Sequence, residues 1–386
     1  MLNCVSWGTY RSGNDSRMPN PAETDLFHMR AALALARRGL GITWPNPSVG
    51  CVLVRDGRVV GRGYTGSGGT PHAEPTALSM AGPQAQGATA YVTLEPCCHW
   101  GRTPPCADAL IRAGVRRVVI ATLDPDKRVD SRGAARLREA GIDVEHGLLE
   151  DEARADLRGF FSRVTQDRPL ITLKLATTLD GKIATGSGES QWITGPEARR
   201  MAHVLRGQHD AVLAGIGTVM ADDPELTCRI PGFRSRPVVR AIVDSHLRTP
   251  LTSKLARTAK EAPLWLIVRD GSDPARLEAF AGLGATVFQV AAGPAGIDLA
   301  DALRVLARAG LTRVLVEGGG QVAASFVRSG FVDRIAWFHA PGIMGGDGWP
   351  AVQGFGIEKL AMMPRFVRQR VTPLGSDTLT EFMRIA

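Results

Sequence analysis

The hydrophobic positions of the first half of the chain follow two alternating periods. Leu26, Met29 and Leu33 recur at helical spacing and predict an amphipathic helix over 24–38. Short apolar runs predict strands, and Asp56-Gly57 predicts a hairpin turn between the first two. The predicted strands cover 51–55, 59–61, 90–94, 117–122 and 143–146, and further helices are predicted from His72 to about residue 81, over 106–113 and over 134–140. Strands that alternate with helices predict a layered α/β domain with a largely parallel sheet.

The pattern changes after residue 146. A charged helix is predicted over 150–163, a linker over 165–169, and a new buried strand over 170–176. A length of 386 residues also suits two domains better than one. The predicted division is a disordered leader over 1–22, in which Met18 is an alternative start, a first domain over 23–165 and a second over 166–386.

The charge pattern limits the kind of partner. The net charge is +8, but the arginines that supply most of it are scattered and are not interleaved with aromatic residues that stack bases. We therefore expect no nucleic-acid partner, whereas a positive field would collect phosphorylated substrates and a dinucleotide.

Two further patterns bear on the location of the chain. No apolar run approaches the roughly 18 residues that cross a bilayer, so we expect no membrane span. Six cysteines in a chain of this length do not make a disulfide framework, and this usage predicts a reducing cytoplasm.

Three residues have the spacing of a catalytic zinc site. His72 and Cys97 are separated by 24 residues, and Cys97 and Cys106 by 8. One imidazole and two thiolates provide three zinc ligands and leave the fourth position to water, which is typical of a catalytic site. Taken singly, such cysteines are more often buried thiols than ligands. Cys98 and His99 are additional potential ligands, which we treat as non-ligands because a fourth protein ligand would displace the water.

Glu74 lies two residues after His72, near the metal but not needed to bind it. A carboxylate there can accept a proton from water and pass it to a leaving amine. Zinc deaminases have H-x-E followed by P-C-x-x-C. Here Pro96-Cys97 is present, but the second cysteine follows after eight intervening residues instead of two.

The second half contains a glycine turn, Gly318–Gly320, between a predicted strand and helix. Backbone amides in such a turn can approach a phosphate, and the helix N-terminus favours its charge. An ordinary tight turn is the alternative. Gly215 and Gly217 do not complete a G-x-G-x-x-G fingerprint, because residue 220 is Met.

The motif His72-Ala73-Glu74 with Pro96-Cys97 and Gly101-Arg102-Thr103-Pro104-Pro105-Cys106 resembles the deaminase half of the RibD family, the bifunctional deaminase–reductases of riboflavin biosynthesis. Four blocks in the second half resemble the reductase half of the same family: 173–182, 187–194, 217–229 and 316–320. The resemblance implies a cytidine-deaminase-like α/β domain followed by a dihydrofolate-reductase-like α/β domain. It also implies Zn²⁺ and NADPH as cofactors, phosphorylated aminopyrimidine substrates and a homodimer.

By the same resemblance, each site residue has an implied role. Those that fall on NADPH-contacting positions are Ala176, Trp192, Thr218, Asp222, Gly319, Gly320, Gln321, Val322, Ala323, Ala324 and Ser325. Those that fall on substrate-contacting positions are Asn46 and Arg102 in the deaminase, and Lys174, Ser190, Arg206, Leu226, Arg229 and Glu317 in the reductase. Arg206 and Arg229 are suited to grip a phosphate bidentately. Either Asp222 or Glu317 could supply the proton that accompanies hydride transfer.

The sequence departs from the family at two substrate-contacting positions of the deaminase, where Thr65 and Asp126 replace the usual His and Asn. An acid at 126 near a substrate phosphate is unfavourable unless Lys127, Arg128 or Arg102 compensates. A relative that acts on a different aminopyrimidine or nucleotide is therefore the alternative. Two other classes of protein fit less well. A deaminase of nucleic acids would need a basic surface on which bases stack, and the arginines here are scattered. A protein that binds without catalysis would need the loss of Glu74 or of the open zinc position, and neither is lost.

Overall fold

The computed structural model describes residues 21–101, 103–126, 131–294 and 296–385. Residues 1–20, which make up most of the predicted leader, lie outside the described residues, as do Arg102, Lys127 and Arg128. None of the helices in the described part is long and apolar enough to span a membrane.

The first half forms a five-stranded sheet with helices on both faces. Its strands are β1 (Gly50–Arg55), β2 (Arg58–Tyr64), β3 (Thr89–Val92), β4 (Arg117–Ile120) and β5 (Asp143–His146), in the order β2-β1-β3-β4-β5. Its helices are α1 (Pro21–Arg37), α2 (Ala73–Ala81), α3 (Cys106–Arg112) and α4 (Arg132–Glu139). Successive side chains of a strand point to opposite faces, and β1 shows this: Val52 and Val54 pack with Met29 and Leu33 of α1, whereas Leu53 packs with α2.

The prediction of a largely parallel first sheet is confirmed for the direction of four of its five strands, and β1 is the exception. β1 pairs with both β2 and β3 in antiparallel fashion, and only the β3–β4 and β4–β5 pairs are parallel. The Asp56-Gly57 hairpin reverses the chain between β1 and β2, as predicted, with both turn residues at positive φ. Helix α2 then carries the chain across β1, so that β3 runs parallel to β2 on the far side of β1.

Helix α5 (Glu150–Gln166) connects the two halves. It extends three residues beyond the predicted helix, which shortens the predicted linker to Asp167–Pro169. The chain changes sheets between His146 and Leu170, and the predicted boundary at 165/166 lies within this interval. The exact boundary stays a prediction.

The second half forms a nine-stranded sheet in the order β11-β10-β9-β8-β14-β6-β15-β18-β17. Its pairs are parallel except β15–β18 and β17–β18. The strands are β6 (Leu170–Thr177), β8 (Ala211–Gly215), β9 (Val239–Val243), β10 (Leu264–Arg269), β11 (Thr286–Val290), β14 (Arg313–Val316), β15 (Arg334–His339), β17 (Phe366–Leu374) and β18 (Asp377–Arg384). Two small antiparallel pairs join β7 (Lys182–Ala184) to β16 (Trp349–Pro350), and β12 (Ala292–Gly293) to β13 (Gly296–Ile297).

Helices cover both faces of this second sheet. They are α6 (Pro196–Gly207), α7 (Ile216–Asp222), α8 (Lys254–Arg257), α9 (Pro274–Gly282), α10 (Leu299–Arg308) and α11 (Gly320–Arg328). One core cluster contains Leu303 of α10 and Phe326 of α11, and the other contains Leu205 of α6 and Phe280 of α9. A sheet buried on both faces needs apolar residues along whole strands, which accounts for the fully buried β8 and β14.

Candidate functional site

The three predicted zinc ligands meet at the ends of two helices. His72 is the residue before α2, Cys106 is the first residue of α3, and Cys97 follows β3. The N-terminus of α3 also fixes Cys97, because the Cys106 N–H donates to its Sγ at 3.3 Å and the Ala107 N–H donates to its carbonyl oxygen at 3.1 Å. The three ligand atoms all lie within 4.8 Å of one another.

These distances fit zinc. His72 Nδ1 lies 3.2 Å from Cys106 Sγ and 3.7 Å from Cys97 Sγ. Zn–N and Zn–S bonds of about 2.05 and 2.3 Å at a tetrahedral angle separate N and S by roughly 3.6 Å. Among the described residues, neither Cys98 nor His99 joins the cluster. The structure therefore brings the three predicted ligands together, and their role as zinc ligands stays a prediction.

Neighbouring protein groups shift the pKa values of the Cys97 and Cys106 thiols in opposite directions. Hydrogen bonds from Cys106 and His72 lower the pKa of Cys97 to about 4. The same contact with Cys97, together with burial, raises the pKa of Cys106. In the absence of a cation, Cys97 is therefore the thiol of the pair that ionises more readily.

Glu74 is buried in the first turn of α2, with 3% of its surface exposed. It lines a cavity of about 250 Å³ together with His72 and Cys97. Burial raises the pKa of Glu74 to about 7. Its carboxyl group therefore faces the space beside the metal ligands, in the place that the sequence predicts for a proton carrier.

The rest of this cavity is formed by loops. Asn46 lines it, and its Nδ2 donates to the Gly69 carbonyl oxygen at 3.0 Å. Within the described residues its Oδ1 has no hydrogen-bond partner, so it is available to accept from a substrate. Arg102, the other predicted deaminase contact, lies outside the described residues.

Both departures from the family lie at the first cavity. The Thr65 hydroxyl is 2.9 Å from the Val49 nitrogen, from which it accepts, and it donates to the Val49 carbonyl oxygen at 3.4 Å. Thr65 therefore joins two loops and has little freedom to bind a ligand. Asp126 is buried and lines the cavity, and its N–H donates to Asp124 Oδ1 at 2.9 Å.

A second cavity, of about 870 Å³, lies at the carboxyl ends of β6, β8 and β14. The N-termini of α7 and α11 both border it, through Gly215, Gly217, Gly319 and Gly320. Orphan amides and helix dipoles at such ends favour phosphate groups, and the cavity is large enough for a dinucleotide beside a second ligand. The residues present therefore fit NADPH.

Most predicted residues of the second half meet at this cavity. Those that line it are Lys174, Ala176, Ser190, Trp192, Arg206, Thr218, Asp222, Leu226, Arg229, Glu317, Gly319, Gly320, Gln321 and Val322. The structure does not bring the last three residues of the predicted run 319–325 to the cavity. Ala323 is buried in the core cluster beneath α11, Ala324 is also buried, and the Ser325 hydroxyl donates to the Gln321 carbonyl oxygen at 3.0 Å.

Arg206 does not have the free guanidinium that a bidentate phosphate grip needs. Its Nε and Nη2 donate to the two oxygens of Glu317 at 2.7 and 2.8 Å, and its Nη1 donates to the Thr227 carbonyl oxygen at 3.1 Å. The expectation of a bidentate grip by Arg206 is therefore wrong. Arg229 is exposed at the rim, where Glu225 is its ion-pair partner among the described residues, at 2.9 Å.

The ion pair with Arg206 also keeps Glu317 ionised. Burial alone would raise the pKa of Glu317, but the adjacent Arg206 and Lys174 outweigh burial and hold the pKa at about 2. A carboxylate this acidic is a poor proton donor near neutral pH. Burial lowers the pKa of Lys174, and its ammonium lies 5.7 Å from the Phe338 ring centroid. Within the described residues Lys174 makes neither a hydrogen bond nor a close ion pair.

Some lining residues were not found from the sequence. His203 borders the second cavity, and its Nδ1 lies 3.2 Å from the Thr227 oxygen and 3.3 Å from the Arg229 nitrogen. It precedes Arg206 by three residues on α6, so the helical spacing could have indicated it. Phe160 of α5 borders the first cavity, and only the tertiary packing of the connecting helix reveals this.

Comparison with known proteins agrees with these two sites. Residues 22–122 match the cytidine and deoxycytidylate deaminase zinc-binding region, and residues 169–380 match the RibD C-terminal domain. The chain is 44% identical to riboflavin biosynthesis protein RibD of Aquifex aeolicus over 94% of this chain and 99% of that one. It is 41% identical to the protein of the same name from Escherichia coli, over 92% and 97%.

Solved structures extend the similarity to three dimensions. Acinetobacter baumannii RibD superimposes with a TM-score of 0.85 at 36% identity, covering 95% of this chain and 100% of that one. A diaminohydroxyphosphoribosylaminopyrimidine deaminase/5-amino-6-(5-phosphoribosylamino)uracil reductase from Thermotoga maritima gives 0.83 at 34% identity, with coverage of 95% and 100%.

Proposed function

Because the chain belongs to the RibD family of riboflavin biosynthesis, we propose that its two cavities catalyse successive reactions on one phosphorylated aminopyrimidine. The chain has a cytidine-deaminase-like domain followed by a reductase domain, and it is a bifunctional deaminase and reductase that uses zinc and NADPH. The assignment of each reaction to its residues is our proposal. It rests above all on one observation: Glu74, His72 and Cys97 line a single cavity.

In the first reaction a water oxygen adds to a ring carbon, the C–N bond breaks, and ammonia leaves. Zinc held by His72, Cys97 and Cys106 supplies an activated water when bound. Glu74 accepts the proton of the attacking water and returns it to the departing nitrogen. Its burial excludes competing solvent from this transfer.

We propose 2,5-diamino-6-hydroxy-4-(5-phosphoribosylamino)pyrimidine as the substrate. The unpartnered Oδ1 of Asn46 supports this, because it can accept a hydrogen bond from a ring amino group. Asp126 supports the alternative, a different aminopyrimidine or nucleotide, because it places a carboxylate on the same cavity.

In the second reaction the ribosyl group becomes ribityl. NADPH supplies the hydride for the ribosyl C1′ when bound at Ala176, Trp192, Thr218, Asp222 and the N-terminus of α11. The ring oxygen released from C1′ needs a proton, and we assign its donation to Lys174, because Glu317, with a pKa of about 2, carries no proton near neutral pH. Asp222, whose pKa burial raises, is the alternative donor. Glu317 and Arg206 hold each other in place, Ser190 and Leu226 flank the substrate, and Arg229 contacts the phosphate.

The partners and compartment follow from weaker observations. We propose a homodimer through β17, an edge strand that exposes Val367 and Val371. We propose a reducing cytoplasm, because the described cysteines are all free. Nucleic acid is not an expected partner, given the scattered arginines.

Ammonia release by the purified full-length chain, with and without NADPH, tests the assignment. We expect the diaminopyrimidine phosphate to lose one ammonia without NADPH and to consume one NADPH when it is added. Cys106→Ala should abolish zinc binding and ammonia release, whereas Cys98→Ser should retain both. Full zinc content in Cys106→Ala would contradict the ligand set. Release from another aminopyrimidine, but not from this one, would favour the alternative.

A further inference from the structure

The loop Gly41–Pro47 belongs to the first half by sequence but lies against the second half. Its last part carries Asn46 to the deaminase cavity. Asn46 approaches Gly69 so closely that a Cβ on Gly69 would lie 2.6 Å from Asn46 Nδ2, and Gly69 has a φ of +90°. No side chain other than hydrogen fits there. The position of Asn46 therefore depends on where the loop sits.

Trp44 fixes the middle of the loop. It is 7% exposed and belongs to the same core cluster as Ile171, Leu173 and Leu303 of the second half. Its ring meets Trp265 of β10 edge-on, with centroids 6.1 Å apart. A tryptophan buried among another domain's side chains contributes a large apolar area to the contact. The loop is thus anchored on the reductase half.

Two arginines from the second half complete this anchor. The Arg236 guanidinium carbon lies 3.5 Å from the Trp44 ring centroid, and its Nη1 donates to the Trp44 carbonyl oxygen at 2.8 Å. Arg234 Nη2 donates to the Gly41 carbonyl oxygen at 2.6 Å, and its Nη1 lies 2.7 Å from the His209 oxygen. Arg234 Nε also donates to the Arg236 carbonyl oxygen at 2.7 Å, so the two side chains form one unit.

Within the described residues, Arg236 donates only to the Trp44 carbonyl oxygen, whereas Arg234 also donates to the carbonyl oxygens of Arg206, Gly207 and His209 and so joins the loop to the end of α6. Neither has a carboxylate within ion-pair distance, and backbone carbonyl oxygens take their donors instead. Neither lines the reductase cavity. At Gly41, with a φ of +81°, a Cβ would lie 2.6 Å from the Gly207 oxygen, so the backbones of the two halves are in direct contact there.

We propose that Arg234 and Arg236, which belong to the reductase half, are positioning residues for the deaminase: they hold loop Gly41–Pro47 so that Asn46 meets the pyrimidine. The proposal rests on the proposed contact between Asn46 and the substrate. When the anchor is lost, the loop samples other positions, and the substrate binds only the fraction of molecules in which Asn46 is in place. Metal binding and the proton transfer by Glu74 do not depend on this loop.

The test is Arg236→Ala in the zinc-loaded, full-length chain. We expect the deaminase KM to rise about three- to tenfold while kcat changes less than about twofold, because only the binding-competent fraction falls. Zinc content and reductase activity on deaminated substrate should stay at the parent level. Arg236→Lys keeps a cation over Trp44 and should give an intermediate KM.

Arg276→Ala is the matched control. Like Arg236, Arg276 donates to the backbone and lies near an aromatic ring: it donates to the Leu247 and Thr249 oxygens, each at 2.8 Å, and lies 5.7 Å from the Phe280 ring centroid. Among the described residues, these contacts are all within the second half. The substitution should leave the deaminase KM unchanged. An equal KM increase in Arg276→Ala would show a general loss of stability and overturn the proposal.

A double mutant separates this proposal from the one it rests on. Asn46→Ala alone should raise the deaminase KM, and a normal KM would refute the proposed substrate contact. If Asn46→Ala raises the KM and Arg236→Ala raises it no further in that background, Arg236 acts through Asn46. Additive effects, or an unchanged KM in Arg236→Ala, would overturn the positioning role. If Arg236→Ala does not fold, Arg236→Gln, which keeps a donor for the Trp44 oxygen, undergoes the same tests.

Discussion

Glu74 has its position because the first turn of α2 points it inward while His72, just before the helix, turns toward the thiols. One residue, Ala73, separates the proposed metal ligand from the proposed proton carrier, so the start of one short helix positions both. Because Glu74 is not one of the predicted ligands, we expect that its carboxyl group can be replaced without loss of the metal.

Glu74→Gln keeps the shape of the side chain and removes the base. We expect zinc to remain at about one per chain and deamination to fall by roughly 10²-fold or more. Metal analysis and ammonia release measure the two quantities. Reductase activity on deaminated substrate provides the internal control, and an equal loss there would mean that the two sites are not independent.

Asp126 is the residue at which the sequence suggests an altered specificity. A carboxylate on the cavity near a substrate phosphate costs on the order of 1 kcal/mol where water screens it. Asp126→Asn should therefore lower the deaminase KM by a few fold and leave kcat nearly unchanged. Asp56→Asn, at an exposed hairpin turn, is the control. A rise in KM would instead identify Asp126 as a recognition element of another substrate.

Single residues also show what the sequence alone misses. The residue types at the predicted zinc site limit the chemistry so strongly that their spacing sufficed to predict which three side chains come together. The partner of Arg206 could not be predicted in this way, because a guanidinium binds a phosphate or a carboxylate equally well. Only the arrival of Glu317 from the end of β14 determines which one it binds here.

At the scale of elements, α1 is tied to the first sheet by a polar cluster. Asp25 accepts from Tyr91 of β3 at 2.6 Å and from both terminal nitrogens of Arg117 of β4, at 3.0 and 2.7 Å. The Arg117 hydrogen bonds hold the pKa of Asp25 below its ordinary value of 3.8. Since the folded state lowers this pKa, the stabilisation is present above about pH 3.8 and is lost as the pH falls through the folded pKa.

Asp25→Asn should accordingly lower the melting temperature at pH 7 by roughly 2–6 °C, and by less at pH 3. Calorimetry of parent and variant at both values measures the difference. Asp143→Asn is the control, because Asp143 is 3.9 Å from Arg117 but 67% exposed. A constant difference between pH 7 and pH 3 would contradict a role for the Asp25 charge.

The elements themselves were largely predictable, because glycine, proline and the hairpin pair mark their ends in the sequence. The place of β3 beside β1 was not. It depends on helix α2 crossing β1, which places β3 on the far side of β1. Packing determines this crossing, and the periodicity of a single strand does not indicate it. The extension of α5 to Gln166 was missed for a related reason, since the helix is supported by contacts with both sheets.

At the scale of the whole molecule, each sheet presents an edge to the outside. β17 is one edge of the large sheet and β2 is one edge of the small sheet. Exposed valines occur on both: Val367 and Val371 on β17, and Val59 on β2. Apolar edge strands tend to pair with another copy of the chain.

If the homodimer forms through β17, Val371→Lys should shift the chain toward monomer, because a lysine resists burial in an apolar contact. Sedimentation equilibrium measures the shift. Val59→Lys introduces the same change on β2 and should leave the assembly intact. Dissociation by Val59→Lys alone would place the interface on the small sheet.

The burial of Trp44 in the second half also bears on whether the enzyme can function as two separate polypeptides. Cutting the backbone between Asp167 and Pro169 breaks the covalent connection but leaves Trp44 packed in the core cluster of the second half beside Arg236. Buried tryptophan and arginine are the residues that dominate binding between separate proteins. Two polypeptides made from separate genes and divided at this point should therefore reassemble, with ammonia release reporting that Asn46 has returned to its place.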